Sequence, residues 1–241
     1  MKKIFFLTNL ILILVFISPF VSCEKDEDYG TVCDVSIETI SAKWEISDIN
    51  SPFISFEFSK DGNYIVLENK SPIHFGKYMI DKRKIILIDF GYIDVTILTD
   101  IKIFFSFTLE ATEKKTNLIA DKSKETISPS VRSEMICRTW VVQELTVDEE
   151  TQLNDSILGT ILLFSKTGTY LVLYGGEESK ASLFRWKWAD IEETKIYYSW
   201  KKWEDDWEKN IVIIEQLNND SLVFHENFGA GEWVYYMIPR N

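Results

Sequence analysis

Hydrophobic residues in this chain fall in short runs bounded by turn residues, and one such run occurs twice. Phe58-Ser59-Lys60-Asp61-Gly62-Asn63-Tyr64-Ile65-Val66-Leu67 returns as Phe164-Ser165-Lys166-Thr167-Gly168-Thr169-Tyr170-Leu171-Val172-Leu173. In each copy a strand ends at Phe, and Lys-Asp-Gly or Lys-Thr-Gly makes a tight turn in which Gly supplies φ > 0. A Tyr-containing strand then returns, so the unit is a β-hairpin. Further matches keep the same order. Trp44-Glu45-Ile46 aligns with Trp140-Val141-Val142, and Lys77-Tyr78-Met79-Ile80 with Arg185-Trp186-Lys187-Trp188. Lys84-Ile85-Ile86-Leu87 aligns with Lys195-Ile196-Tyr197-Tyr198, and Leu98-Thr99-Asp100 with Leu217-Asn218-Asn219-Asp220. The second copy carries insertions after Trp140 and around Trp203, as surface loops of a duplicated β unit tolerate.

The pattern predicts eight strands per copy. In the first they begin near Lys43, Ile54, Asn63, His74, Lys84, Tyr92, Lys102 and Thr116. In the second they begin near Thr139, Thr160, Thr169, Leu183, Lys195, Ile211, Ser221 and Trp233. Short turns between neighbours imply an antiparallel meander, and no long helical pattern intervenes. Eight antiparallel strands close into a barrel that removes exposed edges and is filled by side chains or holds one small ligand. The expected fold class is therefore all-β, with two tandem eight-stranded antiparallel meander barrels over residues 34–121 and 134–241. Two stacked β-sandwiches are the alternative architecture. The polar stretch 122–133, with Ser128-Pro129-Ser130, reads as the linker.

With its Trp on the first strand, Phe-x-x-x-Gly-x-Tyr at the second hairpin and, before the seventh strand, Leu-x-Asp in the first copy and Leu-x-x-Asp in the second, each half resembles the lipocalin-like domains of secreted bacterial lipoproteins. The resemblance implies a barrel architecture and leaves the ligand open. The Gly-x-Trp signature of eukaryotic lipocalins is absent, so retinoid-type transport does not carry over.

The N-terminus reads as an address. Lys2 and Lys3 precede an apolar run from Ile4 to Phe20, which is marginal as a membrane anchor and fits a secretory signal over residues 1–22. Phe20-Val21-Ser22-Cys23 resembles a lipobox, with Phe20 in place of the usual Leu. That resemblance implies cleavage before Cys23 and acylation of Cys23, hence a membrane partner through the N-terminal lipid. Residues 23–33 form an acidic tether. Its Glu24-Lys25-Asp26-Glu27-Asp28 resembles a lipoprotein surface-export signal, so the expected place is the outer membrane, at the cell surface or else facing the periplasm.

Composition narrows the chemistry. The 241 residues are 46% apolar and 14% aromatic, as suits a globular chain, and the net charge is −12. Such a charge is wrong for nucleic acid, which needs clustered cations. There is no His-Glu-x-x-His, Gly-x-Ser-x-Gly, P-loop or Gly-rich dinucleotide turn, so no enzymatic turnover, cofactor or metal is expected. Asp205, Asp206 and Glu208 lack the glycine and ligand rhythm of a calcium loop. Adjacent His225 and Glu226 would point to opposite faces of a strand and could not orient each other. Cys33 and Cys137, each just ahead of the Trp strand of its own copy, form either a disulfide or two buried thiols.

Aromatics concentrate in the second copy. Phe184, Trp186 and Trp188 share one strand face, with Arg185 and Lys187 on the other, and Ile196, Tyr198 and Trp200 share a face of the next. They are either barrel core or the lining of a pocket for a small apolar or sugar-like ligand. Trp203 and Trp207, among charged neighbours, are either a contact surface or a cap on the barrel mouth. The candidate ligand-binding residues are thus Trp186, Trp188, Tyr198, Trp200, Trp203 and Trp207. Ligand capture by the second barrel is the expected function, and a structural or protein-interaction module of a surface assembly is the alternative.

Overall fold

The structure, a computed structural model, describes residues 24–26, 30–69, 72–152, 157–199, 210–227 and 231–240. Cys23 and the signal segment lie outside the described residues, as do Trp200, Trp203 and Trp207. The chain enters through a small hairpin, β1 (Glu24–Asp26) paired with β2 (Gly30–Val32). Helix α1 (Ile37–Ile40) follows, capped by Ser36, whose side chain accepts from the Thr39 amide while Thr39 reaches back to the Ser36 amide.

The first barrel comprises β3 (Lys43–Ile46), β4 (Phe53–Phe58), β5 (Asn63–Glu68), β6 (Ile73–Asp81), β7 (Lys84–Leu87), β8 (Gly91–Leu98), β9 (Lys102–Leu109) and β10 (Lys114–Lys122). Each strand pairs antiparallel with its neighbour, and β10 returns to β3 in the register Ala120↔Ile46 and Lys122↔Trp44. Helix α2 (Val131–Ile136), with Ser130 as N-cap, opens the second copy. Its strands are β11 (Thr139–Val147), the two-residue arm β12 (Glu150–Thr151), β13 (Ile161–Phe164), β14 (Thr169–Leu173), β15 (Ala181–Trp188), β16 (Lys195–Ser199), β17 (Ile211–Leu217), β18 (Leu222–Asn227) and β19 (Glu232–Pro239). Apart from the arm, these eight close as β19 pairs with β11 from Trp140↔Pro239 to Val147↔Trp233. Two closed meander barrels decide against the sandwich alternative, and every strand of the barrels begins within two residues of its predicted place.

One end of each barrel is sealed the same way. Trp44 and Trp140 are both fully buried. Each indole Nε1 donates to a carbonyl four residues upstream, in the preceding short helix: Trp44 to Ile40 at 2.9 Å and Trp140 to Ile136 at 3.0 Å. Ile40 and Ile136 are likewise fully buried, so each helix plugs its own barrel. The connection after β10 is packed rather than loose. Ile127 is buried in the second core and its amide donates to the Lys166 carbonyl, while Glu125 pairs with Arg185 at 3.0 Å.

The barrels meet through equivalent outer faces. Ile65 and Phe75 of the first pack against Ile161, Leu163, Leu171 and Leu173 of the second. Strands β5 and β14 are thus apolar on both faces, as strands buried on both sides are. Cys33 and Cys137 are free thiols in separate cores. Of the two sequence readings the bridge is therefore absent, because each cysteine packs with its own barrel.

Candidate functional site

The two ends of the second barrel differ. At the end sealed by α2, Trp186 is fully buried and donates to the Ser165 carbonyl at 3.0 Å, and Trp188 donates to Ser133 Oγ of α2 at 2.8 Å. The two indoles meet edge to face, 5.5 Å between centroids. At the opposite end lies a cavity of about 240 Å³. Leu162, Val172, Phe184 and Phe224 supply apolar wall, and Ile157, Tyr174 and Asn210 contribute from the connections between strands. Tyr170, Tyr198, Trp233, Tyr235 and Glu226 complete the aromatic and polar lining.

Strand geometry explains why these side chains converge. On β18 the alternation puts Leu222, Phe224 and Glu226 on the inner face, so a carboxyl enters a wall that is otherwise apolar. On β16 the same alternation aims Ile196 and Tyr198 inward. The Tyr198 hydroxyl donates to Glu226 Oε1 across β17. The rings of Tyr170, Phe184 and Tyr198 pack mutually, with centroids 5.2 to 5.7 Å apart.

Burial governs the electrostatics. Desolvation pushes the Glu226 carboxyl up to about 7, against the opposing hydrogen bond from Tyr198. Burial first, and the nearby Glu226 charge second, raise the Tyr170, Tyr198 and Tyr235 phenols, which therefore remain protonated donors at physiological pH. His225, next in sequence to Glu226, faces outward. There it bonds Glu215 at 2.5 Å and Glu232 at 2.9 Å, and these partners, Glu215 foremost, raise its pKa.

Of the predicted site residues, Tyr198 lines the cavity. Trp186 and Trp188 face inward but belong to the sealed end, and Trp200, Trp203 and Trp207 lie outside the described residues. Sequence reasoning missed Glu226, Tyr170, Trp233 and Tyr235. The available signal was the repeat itself. Strand pairing makes Val212↔Glu226 the counterpart of Ile93↔Phe107, so the acid stands where the first copy has a core phenylalanine.

The first barrel is filled at that level. Phe107 packs against Phe53, Phe56 and Phe90 with centroids 5.1 to 5.4 Å apart. A second cavity of about 420 Å³ lies between the barrels; in its wall Lys166 pairs with Glu134, and buried Glu57 accepts from Thr167 and Thr169. Cys137 in its wall is no nucleophile, since burial pushes its thiol up to about 12. Among the described residues no group of three or more His, Cys, Asp or Glu side chains could hold a metal ion. No family model matches the chain, and no curated protein is similar to it.

Proposed function

We propose that this is a lipid-anchored envelope protein whose second barrel captures a small, mainly apolar ligand. The observation that carries the reading is the aromatic-lined chamber of about 240 Å³ in one barrel, set beside a duplicate barrel whose equivalent level is filled. A purely structural pair of barrels has no use for the difference. The chamber exceeds the roughly 150 Å³ apolar cavity that accepts benzene, and lies below the range of about 300–1,000 Å³ typical of drug-sized ligands. Its occupant is therefore about the size of one substituted ring. The phenols of Tyr198 and Tyr235 and the Glu226 carboxyl orient the ligand's polar end. The first barrel acts as a support, fixed to the working barrel through the shared apolar seam. Acylation of Cys23 and display at the cell surface complete the proposal.

Native mass spectrometry of the full protein taken from its own envelope tests this. A retained small molecule is expected, and Val142→Phe, which fills the chamber from β11, should abolish it with the fold intact. Equal occupancy in both proteins would overturn the reading. A Cys23→Ser variant should lose the lipid mass and the membrane association together.

A further inference from the structure

Resting on that reading, we infer that the chamber of the second barrel selects a small organic cation: an amine with a compact apolar body, its ammonium held by the Glu226 carboxylate inside a cage of aromatic rings. Three observations converge on this chemistry. The first is the carboxyl itself. A carboxylate offers about four acceptor positions, and the hydroxyl of Tyr198 donates to one oxygen of Glu226. Among the described residues, no Lys, Arg or His lines the chamber. The neighbouring His225 is turned to the outside and engaged by Glu215 and Glu232. Acceptor capacity therefore faces the cavity with no cation among the described residues to meet it.

The second is the company that carboxyl keeps. Tyr170, Tyr174, Phe224, Trp233 and Tyr235 share the chamber with it. Aromatic faces attract a desolvated cation and give nothing comparable to a neutral or anionic group. The third is the duplicate. The counterpart of Glu226 is Phe107, buried among three other phenylalanines, so barrel closure and packing need no acid at this position. A carboxylate desolvated in such a wall with a single hydroxyl partner is destabilising, and a bound ammonium turns the charge into an ion pair.

Proton linkage gives the site a direction. Among the described residues, the ionisable groups facing Glu226 are the phenols of Tyr170, Tyr174, Tyr198 and Tyr235, from β14, the turn after it, β16 and β19. Burial raises the phenols of Tyr170, Tyr198 and Tyr235, whereas the Glu226 carboxyl changes charge near neutrality. Amine affinity is then full above about pH 7 and falls about tenfold per pH unit below it.

Calorimetric titration of the full mature chain with 2-phenylethylamine, 2-phenylethanol and phenylacetate decides the matter. The amine should bind at least tenfold more tightly than the alcohol at pH 8, and phenylacetate most weakly. Glu226→Gln should remove that preference, so that the variant binds amine and alcohol within about threefold of each other. Should the variant fail to fold, the pH profile of the unaltered protein serves instead, with amine affinity lost between pH 8 and pH 5 and alcohol affinity steady. Equal binding of amine and alcohol, or preference for phenylacetate, overturns the cation assignment and leaves the chamber reading standing. Binding of none of the three, with no molecule retained from the envelope, overturns both.

Discussion

Where β8 and β9 of the first barrel pair Ile93 with Phe107, β17 and β18 of the second pair Val212 with Glu226. The rest of the framework is held in common. Trp44 and Trp140 make the same indole-to-carbonyl bond, and Phe58 and Tyr64 correspond to Phe164 and Tyr170. Ile85 corresponds to Ile196, and Phe105 to Phe224. The substitution of Phe107 by Glu226 lies at the end away from the plug helices, while at the plug end the turn from β15 to β16 takes residues 189–194 where β6 to β7 takes 82–83. At the end away from the plug helices the first barrel turns between β7 and β8 within residues 88–90. Both copies thus keep a sealed end, and the second differs from the first in carrying an acid and a cavity at the other end. The sealed end sustains closure, so the open end can carry an unfavourable acid.

The sharpest way to break this comparison is to hollow the solid barrel. Phe107→Ala removes a ring packed against three others in a site with little freedom to collapse. It should cost about 3–5 kcal/mol in denaturant unfolding. A loss below about 1 kcal/mol would mean that the first interior is loosely filled and that the contrast between the barrels is false.

The next test asks whether Glu226 is the destabilising residue that the comparison makes it. Its folded-state pKa of about 7 lies above the ordinary value of 4.5, so between these values the folded chain keeps a proton that the unfolded chain releases. Stability therefore falls as pH rises from about 4.5 to about 7 and levels off above. Glu226→Gln removes this dependence. Relative to the unaltered protein, the variant should gain about 2–3 kcal/mol between pH 4.5 and pH 8, read from urea unfolding at the two pH values. Parallel stability profiles would place the carboxyl in water and remove the basis for its role.

The barrels were legible because a hairpin repeat with a fixed glycine turn sets register, and register sets every later pairing. Period-two alternation also put Phe184, Trp186, Ile196 and Tyr198 on inner faces, where they are. Alternation gives a face and no depth. Trp186 and Tyr198 are opposed across β15 and β16, yet only Tyr198 reaches the chamber, because the larger indole bonds towards the sealed end. Glu226 was visible as inward-phased after Leu222 and Phe224, but its meaning appears only when the repeat is extended to align it with Phe107. The seam between the barrels left a fainter trace, the unbroken apolar runs of β5 and β14, which period-two reasoning reads as one buried face too many.

That seam supports the smallest of the expected effects, and it too contrasts the copies. Register makes Glu57 the counterpart of Leu163, so the same outward position is acidic on one barrel and apolar on the other. Glu57 is 5% exposed, and its two oxygens accept from Thr167 Oγ1 at 2.6 Å and Thr169 Oγ1 at 2.7 Å across the seam. A second bond, Asn63 Nδ2 to Thr139 Oγ1 at 3.1 Å, runs the same way. Apolar surfaces alone permit sliding, whereas a buried acid with two fixed donors permits one register. Glu57→Ala strands the buried Thr169 hydroxyl and leaves Thr167 Oγ1 with Ser165 Oγ alone, and should cost about 1–2 kcal/mol. In a double-mutant cycle with Thr169→Val the coupling should reach at least about 0.5 kcal/mol. A cycle with no coupling would show that the apolar contacts of Ile65, Leu163 and Leu171 set the docking by shape alone. The asymmetry at position 57 would then carry none of the specificity that joins the filled barrel to the hollow one.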